Sequence, residues 1–166
     1  MIFEKEYVAA LVHDLELALL LIWGRKVYMV FFGGGTLSLF SGEGVSEILC
    51  QVCMLLSLDL GAEITLEANP GTVEAGCFVV YCEAGVNRLS LGIQSFNDAH
   101  FRALGRIHSA TEAKRAIEIA QRHFDNINLD LMYALPGQTL PIKLQTYYTS
   151  TRTYSKTKIS PTTFLS

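Results

Sequence analysis

Tyr7, Val8, Leu11, Leu15, Leu19 and Ile22 recur about one helical turn apart, and Gly24 follows where a helix would stop. Val27–Phe32 is a short apolar run rich in β-formers and predicts a strand. The triplet Gly33-Gly34-Gly35 with Thr36 ends it sharply. Val45, Ile48, Leu49, Val52, Cys53 and Leu56 then mark a second helix. Residues 62–67 alternate apolar and polar, a strand closed by the turn Asn69-Pro70-Gly71. A helix over about 73–84 should stop at Gly85, a residue suited to a left-handed C-cap. Arg88–Ile93 predicts a third strand. Ser109-Ala110-Thr111-Glu112 has the form of a capping box opening a helix through about Arg122. Ile127–Met132 predicts a fourth strand, followed by Leu135-Pro136-Gly137.

Strand and helix thus alternate four times. That rhythm predicts an α/β fold with a parallel sheet and right-handed crossovers, either doubly wound or a (β/α) barrel. In such folds the site collects at the C-terminal ends of the strands, where loops and helix N-termini meet. Gly33–Thr36 follows the first strand, Glu67 and Asn69 close the second, Gln94 closes the third, and Asp130 lies near the end of the fourth. Any one of these is an ordinary strand-end residue; four together on one rim point to a binding site.

Composition narrows the picture. Half of the 166 residues are hydrophobic and 17% are charged, enough for a buried core and unlike a disordered chain. The net charge of −3 gives no basic surface for nucleic acid. The sixteen acids all lie at or before Asp130, whereas Lys143, Arg152, Lys156 and Lys158 follow it, so the composition breaks near residue 140. From Thr146 to Thr163 the chain is dominated by Ser, Thr, Tyr and Lys and does not read as a further β/α unit. The expected organisation is a core over 1–140 and a divergent or disordered tail over 141–166. The longest strongly apolar run, Leu17–Trp23, is far short of the ~20 residues that span a bilayer, and the start lacks a basic leader, which predicts a cytoplasmic protein.

The glycine triplet lets a backbone approach a ligand closely, or simply makes a tight strand–helix turn. It is neither the dinucleotide fingerprint nor a P-loop, because neither spacing follows Gly33. Cys50 and Cys53 form a C-x-x-C, but both fall within a helical pattern with Cys53 on its apolar face, which reads them as core residues. Cys77 and Cys82 lie on another helix and do not converge. No metal site is expected from the four cysteines.

Several longer motifs occur in order: Phe-Phe-Gly33-Gly-Gly-Thr36, Glu67-Ala-Asn-Pro70-Gly-Thr72, Gly85-Val-Asn-Arg-Leu-Ser-Leu-Gly-Ile-Gln94-Ser-Phe96, Leu104-Gly-Arg106-Ile-His108 and Asn128-Leu-Asp130-Leu-Met-Tyr-Ala-Leu-Pro136-Gly137. Together, over about residues 5–140, they resemble the radical S-adenosylmethionine (SAM) family of oxygen-independent coproporphyrinogen III oxidases. The Glu-Ala-Asn-Pro-Gly-Thr and Leu-Gly-Arg-Ile-His forms are more similar to its HemW haem-chaperone branch. The resemblance implies a partial parallel (β/α) barrel, of which about four units are present. It implies SAM as cofactor, contacted by Gly34, Gly35, Thr36, Glu67, Gln94, Arg106 and Asp130. Carboxylates suit an amine or ribose hydroxyls, and an arginine suits a carboxylate.

The family also uses a 4Fe-4S cluster held by a C-x-x-x-C-x-x-C motif. None of the four cysteines here occupies that place, and Leu37 stands where the family has Pro. The chain therefore reads as a fragment of a radical SAM protein of porphyrin metabolism. Three readings follow: a parent that oxidises coproporphyrinogen, a parent that binds and delivers haem, or an inactive remnant.

Overall fold

A computed structural model of the chain describes residues 4–34, 40–70, 75–106, 109–153 and 157–163. The elements run α1 (Glu4–Ile22), β1 (Lys26–Phe32), α2 (Gly42–Leu55), β2 (Ser57–Ala68), α3 (Ala75–Glu83), β3 (Arg88–Gln94), α4 (Asp98–Ala103), α5 (Ala110–His123), β4 (Ile127–Tyr133), α6 (Leu140–Thr153) and β5 (Thr157–Thr163). Local chemistry sets their ends. Gly24 at φ 73° and Gly85 at φ 108° adopt the left-handed conformation that stops α1 and α3. Ser109 caps α5 by accepting from the Glu112 amide, and the Glu112 carboxylate accepts from the Ser109 amide. The predicted strand over 62–67 forms but begins earlier, at Ser57. Asp59 and Gly61 are poor strand formers. Pairing of Ser57 and Leu58 with Lys26 and Val27, and the Lys26–Asp59 ion pair, extend it nonetheless.

All five strands are parallel and lie in sequence order β1-β2-β3-β4-β5 in one sheet. This is the expected partial (β/α) barrel. Side chains alternate between the faces of a strand, and here the faces differ sharply. Leu66 and Ala68, Leu89, Leu91 and Ile93, and Ile127, Leu129 and Leu131 point to one side. There they pack with Val45 and Leu49 of α2, Phe78 and Tyr81 of α3, and Ala113, Ile117 and Ala120 of α5. Most of these are fully buried, so burial of apolar area drives the helices onto that side. Phe78 meets Phe124 edge-on at 6.2 Å, and the Tyr81 hydroxyl donates to the Phe40 carbonyl. The other face carries polar residues on β2, β3 and β4 and the exposed Met29 and Phe31 on β1.

The segment beyond residue 140 departs from expectation. The sequence pattern predicts no further β/α unit there, yet α6 forms over Leu140–Thr153, and β5 pairs with β4 at seven positions from Ile127↔Thr157 to Tyr133↔Thr163. The sequence signal failed because β5 (Thr-Lys-Ile-Ser-Pro-Thr-Thr) has a single aliphatic side chain, Ile159, to pack against the core. The strand is held by its ladder and by Ser160, whose hydroxyl donates to the Asn128 side-chain oxygen at 2.9 Å. Threonine-rich sequence is a strand former, and at a sheet margin it needs little burial.

Candidate functional site

On the polar face, Glu63, Thr65 and Glu67 of β2 lie beside Arg88, Ser90 and Gly92 of β3, then Asn128 and Asp130 of β4 and Ser160 of β5. Two hydrogen-bonded groups knit these strands. Arg88 pairs with Glu63 at 3.0 Å and reaches the Thr65 hydroxyl at 3.3 Å. Nearer the strand ends, the Ser90 hydroxyl donates to one Asp130 carboxylate oxygen at 2.9 Å, and the Asn128 amide donates to the other at 2.7 Å. The same amide donates to the Ser90 oxygen at 3.0 Å. Ser90 and Asn128 are 6% and 3% exposed, whereas Asp130 is half-buried. The carboxylate is therefore fixed from below and open above.

Opposite Asp130 the β3 ladder slips: Leu91 pairs with Leu129 but Gln94 pairs with Leu131, so Gly92 and Ile93 together oppose one residue. Such a bulge re-aims side chains and is common beside active sites. Gln94 takes the left-handed φ of 63°, unusual for a residue with a side chain and a sign of strain held by its surroundings. A Cβ added to Gly92 would stand 3.1 Å from the Gln94 amide nitrogen and 3.2 Å from the Asn69 side-chain oxygen. Glycine there lets Asn69 and Gln94 fold over the same spot, next to Asp130.

The residues anticipated from sequence fall unevenly around this point. Glu67 is exposed at the end of β2, in register with Ser90, and so joins the group. Gln94 and Asp130 belong to it. Gly34, at φ 83°, follows β1 on the same rim, while Gly35 and Thr36 lie outside the described residues. Arg106 follows α4, exposed, and its described bond is a backbone one to the Phe101 carbonyl. Ser90, Asn128, Ser160 and the Glu63–Arg88 pair were not anticipated. The signal was present: Arg88-Leu-Ser90-Leu-Gly92 and Asn128-Leu-Asp130-Leu alternate, whereas strands buried on both faces read as continuous apolar runs.

Just beyond, Ser95 and His100 are buried together with Oγ and Nδ1 2.9 Å apart, and burial pushes the imidazole pKa down. Burial, with help from Cys77 and Glu4, pushes the Tyr81 phenol up to about 12, so it remains a donor to Phe40.

A cavity of about 700 Å³ lies elsewhere. It is a groove between α1 and α2 lined by Glu4, Glu16, Glu43 and Glu47 with Lys5 and His13, and none of the strand-end residues borders it. It has the volume of a small-molecule site but lacks the convergent, strain-bearing groups of the sheet rim.

A five-stranded parallel sheet with one helix-covered face and one polar face, whose polar groups gather at the strand ends, is shared by many families, and sequence comparison separates them. The Radical SAM superfamily matches residues 5–141. The chain belongs to it. Over 142 residues it is 47% identical to the "Heme chaperone HemW" of Haemophilus influenzae, covering 82% of this chain and 37% of that protein. Over 136 residues it is 49% identical to the same-named protein of Escherichia coli, covering 81% and 36%. Its fold matches the Escherichia coli coproporphyrinogen III oxidase HemN, described as a radical SAM enzyme, with a TM-score of 0.80 and 25% identity over 98% of this chain and 37% of that one. The chain is thus a radical SAM protein, similar in sequence to heme chaperones named HemW and in fold to a coproporphyrinogen III oxidase, and it spans little more than a third of those relatives.

Radical SAM proteins in general use SAM and a 4Fe-4S cluster. The donors on the polar rim fit SAM: two carboxylates, two side-chain amides and a glycine-lined strand end. The cysteines of this chain do not fit the cluster. Cys50 and Cys53 sit on α2 and Cys77 and Cys82 on α3, in the helical layer. Among the described residues no three His, Cys, Asp or Glu side chains converge. Nor are Cys50 and Cys53 core residues, as their helical pattern suggested: both are exposed. The buried side of α2 is set by Gly44, Val45 and Leu49, and Cys53 falls beyond its edge. No helix of the described residues is long and apolar enough to cross a membrane.

Proposed function

We propose that the polar rim of β1–β4 is the SAM-binding part of a haem-handling radical SAM protein. The observation that carries this reading is the Asp130 carboxylate, held through both oxygens by Ser90 and Asn128 while its outer side stays open beside Gln94 and Glu67. A carboxylate fixed in this way keeps acceptor lone pairs for ribose hydroxyls or an ammonium group. Glu67, two strands away on β2, offers a second acceptor for a cationic amine. Gln94 both donates and accepts, and its strained backbone holds it over Gly92. Gly34, Gly35 and Thr36 would lie along the methionyl part, where the two glycines, lacking a Cβ, permit close approach. Arg106 would pair with the ligand carboxylate from the segment after α4, by analogy of motif. The chemistry the cofactor supplies in this family is cleavage at its sulfonium; the rim's part is to bind and orient.

The likeness to heme chaperones supports haem as the cargo of the whole protein, and the TM-score of 0.80 to a coproporphyrinogen III oxidase supports a porphyrin substrate as the second reading. Four free thiols suit a reducing compartment, and a cytoplasmic location is part of the proposal. With the rim contacts alone, SAM should bind this chain in the millimolar range, about −4 kcal/mol. Equilibrium dialysis with labelled SAM tests it. Binding should be lost in Asp130→Ala and Glu67→Ala, and equal retention by both variants would refute the assignment.

A further inference from the structure

Three sulfur-bearing side chains stand out on the surface of α2. Cysteine and methionine are among the residues most often buried, yet Cys50 and Cys53 are exposed and Met54 is 65% exposed. They occupy positions i, i+3 and i+4 of one helix, so they are neighbours on one face with Cβ atoms roughly 5–6 Å apart. The packed part of α2 is set by Gly44, Val45 and Leu49; Cys53 lies one turn beyond Leu49, past that cover, and Cys50 and Met54 turn away from it.

We propose that Cys50, Cys53 and Met54 form a binding site for one monovalent soft cation of the copper(I) class. Thiolate and thioether donors select such ions over hard ones. A metal at about 2.3 Å from two sulfurs needs them within about 4.6 Å of each other. Two cysteines one helical turn apart reach that by turning their Cβ–Sγ bonds together, with no change of backbone. Met54, on the other side of Cys50, supplies a neutral third sulfur.

The surroundings argue against a harder metal. Glu47, one turn before Cys50, has a carboxylate oxygen already engaged by the Gln51 amide at 2.8 Å. Among the described residues no third thiolate, imidazole or carboxylate converges to complete the four-coordinate set that zinc takes. Binding is ligand exchange without electron transfer: two thiols lose their protons, copper(I) joins both thiolates and the thioether, and the site carries one net negative charge. The site lies in the helical layer, so it stands or falls independently of SAM binding at the rim.

The test is anaerobic titration of the reduced chain with copper(I) against a chromogenic copper(I) chelator. One equivalent should bind. Cys50→Ser and Cys53→Ser should each weaken binding more than about a hundredfold, beyond what loss of a supporting neighbour costs. Met54→Leu, close in volume but without the thioether, should weaken it about tenfold. Cys77→Ser and Cys82→Ser should leave it unchanged. All three positions are exposed, so circular dichroism should show intact folding. Undiminished binding in the Cys50→Ser/Cys53→Ser double variant, dependence on Cys77 or Cys82, or equally tight binding of zinc(II) would each overturn the proposal.

Discussion

Asn128→Ala removes the central member of the buried polar network. The side chain, 3% exposed, donates to Asp130 and Ser90 and accepts from Ser160. A hydrogen bond to a charged group contributes about 1.5–3 kcal/mol and a neutral one about 0.5–1.5 kcal/mol. Water can replace part of the loss at half-buried Asp130, and Ser90 keeps Asp130 as its acceptor. The Ser160 hydroxyl, however, loses its partner. The net cost should be about 3 kcal/mol, a large share of the 5–15 kcal/mol typical of a domain. In urea this should move the unfolding midpoint down by roughly 1–2 M with an unchanged slope. The loss should also be local, because Asn128 ties β4 to β5: amide protection over Thr157–Thr163 should fall more than over Arg88–Gln94. A cost under about 1 kcal/mol, or equal loss of protection in β3 and β5, would refute the network's role.

Other outcomes follow from single features. Ser109→Ala, which breaks the capping box of α5, should cost about 1 kcal/mol by thermal unfolding, and Ser109→Asp should restore most of it. Ala134 sits at φ 61°, so Ala134→Gly should raise stability by about 1 kcal/mol, whereas Ala134→Val should lower it. His100 is buried with its folded pKa below that of the unfolded chain, so folding favours its neutral form. Its contribution is complete above the unfolded pKa of about 6.5 and is lost as pH falls from there through the folded value. Urea midpoints of the native chain should decline between about pH 7 and pH 5 more steeply than those of His100→Asn.

Much of this was legible in the sequence because apolar period and punctuation agreed. The four strands around Val30, Leu66, Leu91 and Leu129, the stops at Gly24 and Gly85, and the cap at Ser109 all rest on local chemistry. The strand-end rule put Glu67, Gln94 and Asp130 on one rim, and the ladder register places them there. What was not legible depends on partners distant in sequence. Strand β5 exists through its ladder with β4 and a serine–asparagine bond 32 residues long in sequence, so no apolar period announces it. Cys53 lies on the apolar side of its helix, but α2 is covered only around Val45 and Leu49, so the pattern overstates its burial. The strained Gln94 arises from the bulge opposite Asp130, a register effect between two strands.

The polar rim of the sheet should bind SAM. Amide chemical-shift mapping during a SAM titration of the folded chain tests it most directly. Saturating shifts at Gly34, Glu67, Asn69, Gln94 and Asp130, with a millimolar midpoint, are the expected result. No shifts at the rim up to about 10 mM SAM, well past a millimolar dissociation constant, or shifts concentrated in the α1–α2 groove at Lys5, His13 and Gln51, would contradict it.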